Sequence, residues 1–194
     1  MIPIYEQGKG KGIGHTFDTF LSRFIEICEG QLEDGRSKAF AFILYDFTDK
    51  RIKEVLRNQG VFTRLDRLSG NELSVFYLDS DNKRLLYAFN DTFLKVFDVP
   101  QTRILPFVMF FKIINRDAKD VEIIELEQSN IMFAFNELYE VIENYIAKGN
   151  LDVNKSEIKS SKVLRFFKSV KKITVEKFLE YLINKAIEYM GHHI

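Results

Sequence analysis

The sequence predicts an α/β fold: a mixed sheet with helices on both faces, followed by a C-terminal helical extension. Three observations lead there. Segments with apolar residues at helical spacing alternate with short apolar runs, the pattern of βα units and therefore of parallel strands. Ala39 to Phe47 and Arg103 to Ile114 are apolar almost without a break, as strands covered on both sides are. The last two runs are separated only by the Asn115–Asp120 turn, too short for a crossover, so they should pair antiparallel.

Each element has its own signal. The residues before Gly8 carry no periodic pattern and read as an irregular arm, and Gly8 to Gly14 as a glycine-lysine loop. In residues 16–32, Phe17, Phe20, Leu21, Phe24 and Cys28 fall on one helical face. Glu33-Asp34-Gly35-Arg36 is a turn, and Ala39 to Phe47 is the first strand. Asp49 to Gln59 predicts a short helix with Ile52, Val55 and Leu56 inward and Gly60 as its stop. Ser69-Gly70-Asn71 opens a strand over Glu72 to Leu78, and Arg84 to Phe97 is helical. A third strand lies within Arg103 to Ile114, and Val121 to Leu126 pairs beside it. Over residues 130–147, Leu138, Val141, Ile142, Tyr145 and Ile146 mark a long helix, with Gly149 as its expected stop.

Composition narrows the function classes. The 194 residues include 19 Phe and 8 Tyr, enough to build a large core and too many for a disordered chain. Lys+Arg and Asp+Glu are both 28, so no global basic field is available to draw in nucleic acid. No apolar run reaches membrane-spanning length, the first residues do not read as a signal peptide, and a single cysteine fits a reducing cytoplasm. The neutrality hides an asymmetry. Residues 151–194 hold nine Lys/Arg against five Asp/Glu, whereas residues 117–143 hold eight acids against Lys119 alone. The expected organisation is therefore a core over 1–149, with an N-terminal arm, and a basic helical extension over 150–194.

The element order resembles the thioredoxin-like fold over roughly residues 37–147, and two segments carry the resemblance. Leu44-Tyr45-Asp46-Phe47 is similar to the apolar-x-Asp-Phe end of the first central strand in that family. The run Arg103-Ile104-Leu105-Pro106-Phe107, continuing into Val108 to Lys112, resembles the Ile-Pro-Thr segment that leads into the third strand. The resemblance implies a cis peptide bond before Pro106 and a site beside it, near Asp46. It also implies a Cys-x-x-Cys pair, and here the chain departs. Counted forward without gaps from Asp46, the cysteine positions fall on Ile52 and Val55, and Phe107 stands where threonine follows the family proline. Disulfide exchange needs a thiolate, so no thiol-disulfide oxidoreductase activity is expected.

Other candidate chemistry is thin. Cys28, on the apolar face of the first helix, reads as a small buried hydrophobe. Asp46 interrupts an apolar run, and a buried carboxylate needs a partner; it either caps the next helix or serves a site. Gly8-Lys9-Gly10-Lys11-Gly12-Ile13-Gly14-His15-Thr16 invites a phosphate reading. It fails the P-loop spacing, because His15 stands where lysine should, and it fails the dinucleotide spacing. His192 and His193 are adjacent and cannot face one metal from a helix, and no Gly-x-Ser-x-Gly elbow accompanies His15. The acids around Asp117, Asp120, Glu122, Glu125 and Glu127 lack calcium-loop spacing and suit a solvated strand edge. No metal and no cofactor is expected.

The extension holds the most conspicuous pattern. Val175, Phe178, Leu179, Leu182, Ile183, Ala186, Ile187 and Met190 make one apolar helical stripe, with Thr174 as its N-cap. Such a stripe must be covered by the core, a protein partner or a second copy. Upstream, Lys162, Arg165, Lys168, Lys171 and Lys172 alternate with Val163, Leu164, Phe166, Phe167 and Val170, a mixture that can also meet nucleic-acid phosphates or an anionic membrane. The expected function is a non-catalytic protein-interaction module using Asp46, Leu105 and Pro106 on the core and the basic residues of the extension. Nucleic-acid or membrane binding and an enzyme with a non-thiol site are the alternatives.

Overall fold

The computed structural model describes residues 1–6, 14–97, 99, 105–115, 117–126 and 131–150. The expected extension, with Lys162, Arg165, Lys168, Lys171 and Lys172, lies outside the described residues. The fold is α/β, with one mixed six-stranded sheet. In chain order the elements are β1 (Ile2–Tyr5), β2 (His15–Thr16), α1 (Phe17–Ser22), α2 (Phe24–Glu33), β3 (Ala39–Leu44), α3 (Lys50–Arg57), α4 (Gln59–Ser69), β4 (Leu73–Asp79), α5 (Lys83–Val96), β5 (Phe107–Ile114), β6 (Asp117–Glu125) and α6 (Ile131–Asn150). The strand order is β2-β1-β4-β3-β5-β6. As expected, β3 and β4 are parallel; β1 also pairs with β4 in that sense. The last strands are antiparallel, β5 against β3 and β6 against β5. The Leu105–Pro106 peptide bond is cis.

Period two sorts the side chains of β3 onto two faces. Phe40 and Phe42 point to the face covered by α1, α2 and α5. There Phe42 meets the rings of Phe20, Phe24, Phe76, Phe89, Phe93, Phe97 and Phe111, with its centroid 4.0 Å from that of Phe93. Ala41 and Ile43 point the other way, into the layer of α3, α4 and α6. On that face Tyr145 of α6 stacks on Phe110 at 4.1 Å, and Phe62 of α4 meets Tyr77 edge-on. Burial, then Glu122 and Asp120, push the Tyr145 phenol up to about 12. The small Ala41 leaves room for the ring of Phe110 beside it on β5.

The structure corrects the expected elements at five places. Residues 2–5 are a strand, not an irregular arm. Ile2 and Ile4 are buried against β4, a pairing with residues 76–79 that no local pattern can show. The helix expected over 16–32 breaks at Arg23, whose φ of −123° and ψ of 18° end α1, with Thr16 as the N-cap of that first helix. The helix expected to stop at Gly60 ends instead at Asn58, whose side chain accepts from Val61 N–H and starts α4, so Gly60 lies inside a helix. The final strand begins at Asp117 rather than Val121, because Asn115 turns the chain at φ 54° and the pairing resumes at once. Gly149 lies within α6 rather than past its end.

Gly14 and Gly70 are required by geometry. A Cβ on Gly14 would sit 2.5 Å from the Tyr5 ring and 2.8 Å from the Pro3 carbonyl oxygen, so this glycine lets the short edge strand β2 reach β1. Gly70 ends α4 at φ 50°. The opposite edge, β6, carries Asp120 at φ 54° and a register shift beside Phe110, and with its charges it is a poor template for another chain.

Candidate functional site

Because β1, β4 and β3 run parallel, their carboxyl ends share one rim. The chain leaves β3 for α3 on one face and β4 for α5 on the other, and this divergence is where α/β sheets open a crevice. The register places Tyr5 beside Asp79 and Ile43 beside Tyr77. Leu44 pairs with Phe107, so Leu105 and Pro106 enter β5 at the same rim. Three of the expected site residues, Asp46, Leu105 and Pro106, therefore belong to one end of the sheet. Pro106 is buried and its carbonyl accepts from Leu126 N–H at 2.9 Å, tying the rim to the end of β6.

Asp46 serves the turn out of β3. Its Oδ1 accepts from the Thr48 N–H at 2.6 Å and from the Thr48 hydroxyl at 2.5 Å. Its own N–H donates to Asp49 Oδ2 at 2.7 Å, and Asp49 is the N-cap residue of α3. This is the partner that a half-buried carboxylate requires. Tyr45, just before it, is clamped twice: its hydroxyl donates to the Leu78 carbonyl at 2.5 Å, and its carbonyl accepts from Asn90 Nδ2 at 2.9 Å. Burial, then Asp79, push both the Tyr45 and Tyr77 phenols well above their usual range, so neither supplies a proton near neutrality.

Across the crevice, two bases one helical turn apart on α3 meet the acids at the end of β4. Arg57 Nε donates to Asp79 Oδ1 at 2.7 Å and its Nη2 to Asp81 Oδ2 at 3.1 Å, while Lys53 donates to Asp81 Oδ1. Lys53, and then Arg57, hold the Asp81 carboxyl below its usual range. Next along the chain, the Ser80 hydroxyl donates to Glu6 and accepts from Asn82 N–H at 2.9 Å, and Asn82 caps α5 through the N–H groups of Arg84 and Leu85. Beside this network lies an open groove of about 640 Å³, lined by Phe47, Lys50, Lys53, Glu54, Arg57, Asn58 and Asp81. Phe47 is 46% exposed above it.

The charges facing the groove from α3 and β4 are largely matched to one another. Among the described residues there is no group of three or more His, Cys, Asp or Glu placed to hold a metal, and no helix is long and apolar enough to cross a membrane. Cys28 is fully buried in α2, and burial, then Glu29, push its thiol well up. Ile52 and Val55, where the resemblance implies cysteines, are fully buried on the inner side of α3. The ion pairs and the Asn90 clamp were missed in the sequence. The i, i+4 spacing of Lys53 and Arg57 and the Asp79-Ser80-Asp81-Asn82 run at a strand end were the available signals.

Two of these groups make a pH prediction. Burial, then Arg23, lower the His15 imidazole from its ordinary 6.5. Its share of stability is complete above 6.5 and is lost as the pH falls through the lower folded value. Asp81 acts in the same direction further down: its share is complete above the ordinary carboxyl range and disappears as the pH falls through its depressed value. That carboxylate is exposed, so its share is small and screened by salt. An NMR titration of the folded chain should place the His15 midpoint below 6.5; a midpoint above it contradicts the burial argument.

Compared with known proteins, the chain matches no family model, no curated protein and no solved structure.

Proposed function

We propose that this chain is a non-catalytic protein-interaction module on a redox-inactive, thioredoxin-like sheet, with the rim at the carboxyl ends of the central strands as its contact face. The observation that carries the reading is the contrast along α3. The two positions that would bear the redox pair are filled by fully buried Ile52 and Val55, while Phe47, one turn before the helix, stands out over an open groove. The parallel early strands and the antiparallel last pair support the thioredoxin-like part of the reading.

The groove fits an extended protein segment. Phe47 offers a ring for an apolar side chain, and Lys50 and Glu54 offer one charge of each sign. Aromatic anchors of this kind carry a large share of binding energy at interfaces. Random peptides displayed on phage and panned against the full chain should yield ligands whose affinity falls about tenfold with Phe47→Ser. Selected peptides that bind the Phe47→Ser chain equally well, or measurable insulin disulfide reduction by the wild-type chain, contradict the proposal.

A further inference from the structure

The solvent face of α6 has an ordered composition. Met132, Phe133, Asn136, Glu140, Glu143 and Ala147 are all exposed, and at 3.6 residues per turn they fall within one sector of about 100°. Ala134, Leu138 and Ile142, opposite, are buried. The face is apolar at the start of the helix, where Met132 is 71% exposed, and acidic toward its end, with no base between. The chain that follows Asn150 carries the complementary sequence in reverse. First come Lys155, Lys159, Lys162, Arg165, Lys168, Lys171 and Lys172 against Glu157 alone, then the apolar stripe from Val175 to Met190.

We infer that the segment 155–190 folds back in cis along α6, its bases meeting Glu140 and Glu143 and its apolar stripe reaching the Met132 end. A chain returning from Asn150 passes the acidic end first and the apolar end last, so the order of charges and then apolar residues matches the surface it retraces. Length permits the return. The 20 residues of α6 are about 30 Å long, and the 23 residues between Asn150 and Thr174 can span roughly 75 Å when extended. Docking satisfies the stripe, which has to be covered, and pairs a basic segment with an acidic face. The inference is independent of the rim as a contact face.

The test uses the full chain. Equal amounts of ¹⁴N- and ¹⁵N-labelled protein are mixed and treated with a carbodiimide, which joins lysine amines to carboxylates at contact distance. Crosslinks from Glu140 or Glu143 to lysines 155–172 are expected within chains of one isotope. Crosslinks that join the two isotopes instead assign the face to a second copy and overturn the inference, as does their complete absence. Hydrogen exchange provides an independent readout. Glu140→Lys with Glu143→Lys should speed exchange of amides in 155–190 about tenfold, and adding Lys168→Glu, Lys171→Glu and Lys172→Glu should restore it. Exchange unchanged by the first pair, or not rescued by the compensating triple, also overturns the inference.

Discussion

Phe42→Ala is expected to lower the unfolding free energy by about 3–5 kcal/mol, the range for an aromatic ring removed from a packed core. Phe42 is fully buried at the centre of β3 and joins rings from α1, α2 and α5 to rings of β4 and β5. Its removal leaves a void bordered by seven phenylalanines. These neighbours are fixed by their own contacts, Phe20 to Phe76 at 5.0 Å and Phe89 to Phe93 at 4.7 Å, so collapse into the void is limited. Urea unfolding followed by circular dichroism reads the loss as a shifted midpoint with an unchanged slope. A loss under about 1 kcal/mol contradicts the central placement of this ring. Phe47→Ser, at an exposed position, should leave the midpoint nearly unchanged.

Asn90→Asp is expected to cost about 2–4 kcal/mol at neutral pH. Asn90 is 5% exposed, and its Nδ2 donates to the Tyr45 carbonyl where the chain leaves β3 for the rim. Aspartate fits the same volume but replaces the donor with an oxygen facing a carbonyl, and it buries a charge. Both effects raise the folded pKa above the unfolded value. The sign follows: the charge penalty is absent where both states are protonated, below a pH of about 4, and grows as the pH rises. Denaturation series at pH 4 and pH 7 should therefore show a larger deficit at pH 7. Equal deficits at both values contradict the burial of this side chain against the Tyr45 carbonyl. Because Tyr45 also donates to Leu78, loosening it should be felt at Asp46 and Phe47 as well as in global stability.

Much of the architecture was readable from sequence, for identifiable reasons. The unbroken apolar run after Lys38 marked a strand buried on both faces, and the short turn after Ile114 marked an antiparallel pair. The spacing of Ile52, Val55 and Leu56 put three buried residues on the inner side of α3. Failures came where long-range pairing outweighed local pattern. The four residues of β1 are too few to show a period, and their burial depends on β4, more than 70 residues later. Gly60 was expected to stop a helix, but the capping side chain of Asn58 two residues earlier makes the break and Gly60 rides inside the next helix.

At the rim, Asp46 was conspicuous as a charge in an apolar run, and its role in the turn follows from that position. The pairing of Arg57 with Asp79 and Asp81 spans 22 and 24 residues and exists only because β4 returns parallel beside β3. No residue in that network is unusual for its own segment, so only the topology discloses it.

The central claim is that contacts are made at the carboxyl-end rim, and the most direct measurement maps them. A peptide selected against the full chain is titrated into ¹⁵N-labelled protein, and backbone amide shifts are followed. The account predicts changes concentrated at Asp46, Phe47, α3, Asp81 and Leu105, and their loss in the Phe47→Ser chain. Changes confined to the β6 edge or the outer surface of α5, with the rim silent, would contradict it.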